Sequence, residues 1–240
     1  MRFLVSGILS IFIPVSIATA GPFTVSSPNA TSVTKLKIGT ELKDGETKDT
    51  LTLPKIEIKT PIARNLDLAF IVSHKSIDRD GQASENGIGD FEIKSKWNFY
   101  RNGNFGMAIE PLIVFPTGDE RRGLGNGDFL FEFPLIFGFK TGNWEWGTEL
   151  GFEHVLHQDE DNAYCGILAM RRLTPNLRIG AEIVAEFPDV RFDSCDTLAD
   201  IGLKWTFCER CELQALAGRT LRTADHGASN KFKLALEIKF

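Results

Sequence analysis

The chain has little of what would make it a helical membrane protein or a nucleic-acid binder. Past residue 20 no apolar run approaches the roughly 20 residues that a spanning helix needs. Positive charge is not in excess. The formal net charge is −5, or −6 without Arg2, which argues against a nucleic-acid partner. No low-complexity tract and no second soluble domain appear. Cysteine and histidine are scarce, four of each. No cofactor is expected, and no metal centre.

The first twenty residues do contain an apolar run. Arg2 supplies the positive start, Phe3 to Ile17 the apolar core, and Ala18-Thr19-Ala20 a small-residue cleavage site. This predicts a cleaved export signal over residues 1–20. Gly21 would then begin the mature chain. For an exported chain without a spanning helix, the remaining way into a membrane is a closed barrel. Lipid offers no partner to unpaired backbone groups.

Residues 105–152 carry the pattern a barrel requires. Phe129, Phe131, Phe133, Leu135, Phe137 and Phe139 occupy alternate positions, so one strand face is all large and apolar. The other face is mixed and partly charged. Flanking stretches alternate likewise, through Phe105, Met107, Ile109, Ile113 and Phe115, and through Trp144, Trp146, Leu150 and Phe152. Twelve such strands can be placed, near 32–42, 49–59, 66–75, 89–100, 105–115, 128–139, 144–155, 163–173, 177–187, 198–207, 212–219 and 231–240. Strand 2 slips phase at Pro54, a bulge signal. Strands 8 and 11 show no clear face. Residues 21–31, rich in Gly, Pro, Ser, Asn and Thr, read as a flexible lead-in.

Connections alternate between short turns and longer polar loops. The expected fold is therefore all-β, an antiparallel up-and-down transmembrane barrel of about 12 strands over residues 32–240. The short turns face the periplasm. Trp97, Trp144, Trp146 and Trp205 all fall at that end, facing lipid, as an aromatic girdle does.

Three stretches carry a family resemblance. They are Gly87-Ile88-Gly89-Asp90-Phe91 with Lys94 and Lys96; Pro116-Thr117-Gly118-Asp119 with Gly123-Leu124-Gly125-Asn126-Gly127; and Leu173-Thr174-Pro175-Asn176-Leu177. Together they resemble the outer-membrane family named for the MetA-pathway of phenol degradation, whose members are labelled transporters. The resemblance spans about residues 85–240. It implies a barrel in the outer membrane and, from the family's name, passage of aromatic compounds. Phe240 resembles the final aromatic residue that such barrels present to their assembly machinery. Outer-membrane lipid and a small solute are the other expected partners.

Function is expected in the lumen. Glu110, Glu132, Glu149 and Glu182 lie on strands 5, 6, 7 and 9, and Lys35, Lys37 and Lys233 on strands 1 and 12. Closure would face an acidic wall with a basic one. Lys94, Lys96, Arg178 and Lys204 interrupt the acidic side as cross-strand partners, and Glu237 joins the basic side. The pattern fits either a narrow aqueous path or an interlocked filling, since 12 strands lie between filled and open barrels. The loop 116–127, with Asp119, Arg121, Arg122, Gly123 and Gly125, is the expected gate. Leu112, Val114, Leu130 and Ile136 form an apolar lumen patch, for an aromatic solute or for packing by that loop.

Other residues suggest weaker chemistry. Cys208 and Cys211 sit in one turn and suggest a stapling disulfide or a reduced pair rather than a redox motif, which belongs at a helix start. Cys165 and Cys195, at the outer rim, predict a second bridge across strand 9. The two pairs lie on opposite sides of the membrane, which disfavours a four-cysteine metal site. Asp78-Arg79-Asp80-Gly81 begins like a calcium loop, but Glu85 comes too early to complete it. His74 and Ser76 share a strand face and make a lipid hydrolase the alternative function, although no orienting group is evident. A filled barrel with partner-binding loops is the third reading.

Overall fold

In a computed structural model, residues 21–157, 160–223 and 227–240 are described. The expected export signal and His226 lie outside them. The chain forms a closed antiparallel barrel of 12 strands. β1 is Lys35–Gly45, β2 Lys48–Ala63 and β3 Leu66–Arg79. β4 comprises Glu85–Ile88 and Phe91–Asn102, β5 comprises Phe105–Ile109 and Leu112–Phe115, and β6 comprises Leu130–Glu132 and Leu135–Thr141. β7 is Trp144–Val155, β8 Glu160–Arg172, β9 Leu177–Phe187, β10 Asp196–Thr206, β11 Cys211–Arg222 and β12 Ser229–Lys239. Each strand pairs with its neighbours in sequence. β12 closes on β1, with Lys239 opposite Lys35 and Ser229 opposite Gly45.

The period-2 pattern becomes two faces. Phe133, Phe139, Leu150, Phe152, Ile167 and Ile183 are exposed on the outer face. Glu132, Glu149, Glu153 and Glu182, offset by one residue, are buried inside. All four tryptophans are exposed on the outer face near the short turns. Two of those turns use Gly103 and Gly142 at φ near 55°, a left-handed conformation that L side chains rarely adopt.

Three strands are interrupted where the sequence suggests continuous runs. Pro111 breaks β5 and Pro134 breaks β6, because proline has no N–H for the ladder. Their carbonyls still accept, from Ser95 N at 3.0 Å and from Glu110 N at 3.1 Å. In β4 the break is at Gly89-Asp90. The slip expected at Pro54 is present as a register shift between Thr52 and Lys55.

Two expectations differ from the structure. Cys208 and Cys211 are bonded, but Cys165 and Cys195 are free thiols. Cys165 is opposite Ala185 of β9, and Ala185 is opposite Thr197 of β10. A whole strand separates the two cysteines. Two strand spacings, roughly 9–10 Å, exceed the Cα separation a disulfide spans. Residues 21–31, suggested by composition to be a flexible lead-in, are instead packed inside the barrel, with Phe23 and Val25 only 2% and 3% exposed.

Candidate functional site

The lumen is occupied by the segment that precedes β1. It enters at Thr34 and passes the inner wall from β3 to β10. Three wall carboxylates accept its backbone N–H groups. Asp67 Oδ2 accepts from Thr31 at 2.6 Å, Glu149 Oε2 from Ser26 at 2.6 Å, and Glu182 from Thr24 and Val25 at 2.7 and 2.9 Å. Two wall side chains donate to its carbonyls, Lys96 to Ser27 at 2.6 Å and Asn98 to Pro28 at 2.9 Å. The Ser26 hydroxyl donates to Glu110 Oε2 at 3.0 Å, and the Arg101 guanidinium donates to the Asn29 side chain. Wall side chains thus take up several backbone polar groups of this segment without a second strand.

The wall has a seat for this strap. Gly106, Gly138, Gly147, Gly166, Gly180 and Gly202 lie on six successive strands, β5 to β10. A Cβ at Gly138 would stand 2.5 Å from Pro28 Cδ. At Gly147 and Gly166 it would stand 2.9 and 2.6 Å from the Val25 methyls, and at Gly180 and Gly202 2.9 Å from Phe23 Cζ. At Gly106 the nearest atom is Pro28 Cγ at 3.3 Å. Any side chain would fill the groove. Beside the glycines, Leu168, Met170 and Leu216 close over Phe23 and Val25 as a small apolar core. These residues explain why strands 8 and 11 lack a clear face: their inner sides are partly apolar because they pack on the strap.

Between the strap and the short-turn rim lies a cavity of 730 Å³, whose lining includes Ser27, Asn29, Arg64, Arg101, Lys140 and Lys204. Lys204 Nζ stands beside Gly21, the first described residue.

The lumen carries the expected charges, in a different arrangement from two opposed walls. The basic side is neutralised locally. Lys35 pairs with Glu237 at 2.9 Å, Lys37 with Glu57 at 2.6 Å, and Lys233 with Glu41 at 3.8 Å. Glu110 gathers Lys96, Lys59 and Lys94 at 3.3, 3.5 and 4.0 Å. Arg178 reaches past β10 to Glu212 at 2.7 Å. Buried charges must be paired in this way, because an uncompensated one costs several kcal/mol. Glu41 and Glu57, the partners on β1 and β2, are lumen residues that the sequence pattern alone does not single out. Their alternation with the lysines, two residues apart on one face, becomes a signal once the lumen face is known.

The acidic side is different. Glu132, Glu149, Glu153 and Glu182 form no ion pair among the described residues. Tyr164 Oη lies 2.5 Å from Glu132 Oε1 and 2.9 Å from Glu149 Oε1. Glu153 Oε1 has no hydrogen-bond partner.

The loop 116–127 folds onto the inner face of β3 and β4 at the outer mouth. Asp90 clamps both its limbs, accepting from Gly118 N at 2.8 Å and Asn126 N at 2.7 Å. Asp119 caps a single 3-10 turn, Glu120–Arg122, which ends at Gly123 with φ 73°. Arg122 bonds Glu85 at 2.6 Å and the Asn86 carbonyl at 2.9 Å, whereas Arg121 is exposed. Gly118 packs on Gly125, and Leu124 is buried. The apolar patch beneath comprises Ile71, Leu112, Val114, Leu130 and Val155. Ile136 is also buried, but outside that cluster.

His74 and Ser76 lie on the outer face of β3, in phase with Phe70 and Val72 and away from the lumen. His154 and His157 are at the outer rim, each beside an aspartate: Asp161 at 2.7 Å and Asp128 at 2.9 Å. No group of three His, Cys, Asp or Glu side chains is arranged to hold a metal among the described residues.

Solved structures share this architecture. An outer membrane channel from Pseudomonas putida F1 superposes with a TM-score of 0.77 at 12% identity, over 94% of this chain and 100% of that one. The KdgM porin, solved with disordered oligogalacturonate, gives 0.59 at 12% identity, over 86% and 99%. The NanC porin gives 0.60 at 7% identity, over 85% and 100%. At these identities the likeness shows the fold alone. Among curated proteins no sequence matches. The sequence profile of one family matches residues 21–235. The chain is thus a member of the outer-membrane barrel family described as "Putative MetA-pathway of phenol degradation".

Proposed function

We propose that this barrel is an outer-membrane channel for small solutes, closed at rest on its short-turn side by residues 21–34. The observation that carries the reading is the row of six inward glycines that seats Pro28, Val25 and Phe23. A wall meant only to be filled would be filled by its own side chains. A groove shaped for a separate, chain-terminal segment suits a part that leaves. The channel and porin architecture of the structural neighbours is consistent with this. The lumen patch of Leu112, Val114 and Leu130 suits an apolar solute body, as the family's description suggests.

The hydrolase alternative has less support. His74 and Ser76 lie on the outer face, and among the described residues no third group orients the histidine. The His74→Ala variant is expected to leave lipid untouched, as the parent does.

The deciding experiment is single-channel recording of the refolded chain from Gly21, beside one that begins at Thr34. The longer chain is expected to be silent or to open rarely. The shorter one is expected to show discrete steps. Silence from both, with native folding, would leave a filled barrel as the answer.

A further inference from the structure

The cavity between the strap and the short-turn rim is lined chiefly by positive charge. Arg64, Arg101, Lys140 and Lys204 line it, and among the described residues Glu145 is the one acid of the lining. That carboxylate is already shared. Lys140 lies 3.6 Å from it, and it also draws Arg172 and Arg178, each at 3.9 Å. Arg101 bonds the Asn29 side chain through one N–H and keeps further donors.

Lys204, half-buried on β10, is the least compensated of these cations. Among the described residues it forms no hydrogen bond or ion pair. The acids around it are engaged elsewhere, Glu212 by Arg178 at 2.7 Å and Glu237 by Lys35 at 2.9 Å. An ammonium withdrawn from water without a partner is destabilising, so this position calls for an anion from outside the chain. The cavity has room for one. Its 730 Å³ falls in the range of small-molecule sites, roughly 300–1,000 Å³. Leu168 and Met170 bring apolar atoms to it from β8, and Pro28 and Ala30 bring them from the strap.

We infer that this cavity is a subsite for a small organic carboxylate. Lys204, Arg64 and Arg101 supply the charge, and the apolar body lies along Leu168 and Met170. The inference rests on the channel reading and names the class of solute held on its short-turn side. Cations around a pore mouth favour anions there in the same way. Pro28 and Asn29 belong to the same lining, so a bound carboxylate touches strap and wall together. The site is complete while the strap is seated.

The test is titration calorimetry of the full mature chain folded in non-ionic detergent, with benzoate, benzylammonium and acetate as probes. Benzoate is expected to bind, benzylammonium not, and acetate more weakly than benzoate. Lys204→Gln is expected to weaken benzoate roughly tenfold, because one charge-assisted contact is lost. Arg64→Gln, in an exposed turn, should weaken it several-fold. The chain that begins at Thr34 should lose affinity too, since it lacks the strap side of the site. Faster migration of unboiled than boiled protein reports that each variant is folded. Equal binding of benzoate and benzylammonium, acetate binding as tightly as benzoate, or unchanged benzoate binding in both folded variants would overturn the subsite. If the chain from Thr34 conducts while the full chain binds no benzoate, the subsite falls and the channel reading stands. If the full chain binds benzoate and neither length conducts, the subsite stands and the channel reading falls.

Discussion

Asp90 shows how one residue can shape a functional element. It sits where β4 breaks, so its carboxylate turns inward and holds Gly118 and Asn126 together. The Asp90→Ala variant should lose two charge-assisted hydrogen bonds, about 3 kcal/mol of local stability. Faster amide exchange confined to residues 116–127 would show it, while unchanged exchange would mean that Arg122 alone pins the loop. At the cysteines, a non-reducing peptide map should recover Cys208 joined to Cys211, and Cys165 and Cys195 as alkylatable thiols. Sequence reasoning placed the first pair correctly because it depends on local spacing. The second pair depends on a distance across β9, which no local spacing contains.

The strap is the element that sequence reading missed. Its composition is that of a linker, and nothing in residues 21–34 alternates as a strand does. Its partner is legible only once the barrel closes, when glycines from six strands line up along one groove. The prediction at this scale runs against intuition. Gly138→Val or Gly180→Leu adds bulk to the lumen but should increase conductance, because the new side chain takes the place of Pro28 or Phe23. Lower conductance would mean that the strap stays and the path narrows. Phe23→Ala should loosen the strap by about 3 kcal/mol, as loss of a buried aromatic does. Protease access to the N-terminal segment in the folded barrel reads this directly. Strands 8 and 11 follow the same logic, since their inward Leu168, Met170 and Leu216 pack on Phe23 and Val25.

Over the whole molecule, charge is distributed along the barrel axis. The long-loop end is acidic on balance, with Asp78, Asp80, Glu85, Asp119, Glu120, Asp189 and Asp193 against Arg79, Arg121, Arg122 and Arg191, while the short-turn end carries Arg64, Arg101, Lys140, Arg171, Arg172 and Arg210 against Glu209. The tryptophans share the basic end, where Arg171 lies over the Trp144 ring at 5.4 Å. Aromatic rings and cations together suit one lipid headgroup layer. Brominated lipids should therefore quench all four tryptophans at a single shallow depth. Two depths would mean that the strands are not in the register described.

Alternation along most strands, with the connections between them, was enough to determine a 12-stranded barrel and its outward-facing side. The reason is physical: every strand has one face in lipid, and a period of two records that in the local sequence. What the lumen contains was decided only by closure. Inside, a residue's neighbours come from strands far apart in the chain and from a segment outside the repeat. Lysines read as a basic wall found carboxylates on their own side, carboxylates read as an opposing wall found lysines, a tyrosine or backbone N–H groups of the strap, and glycines with no evident role became a seat.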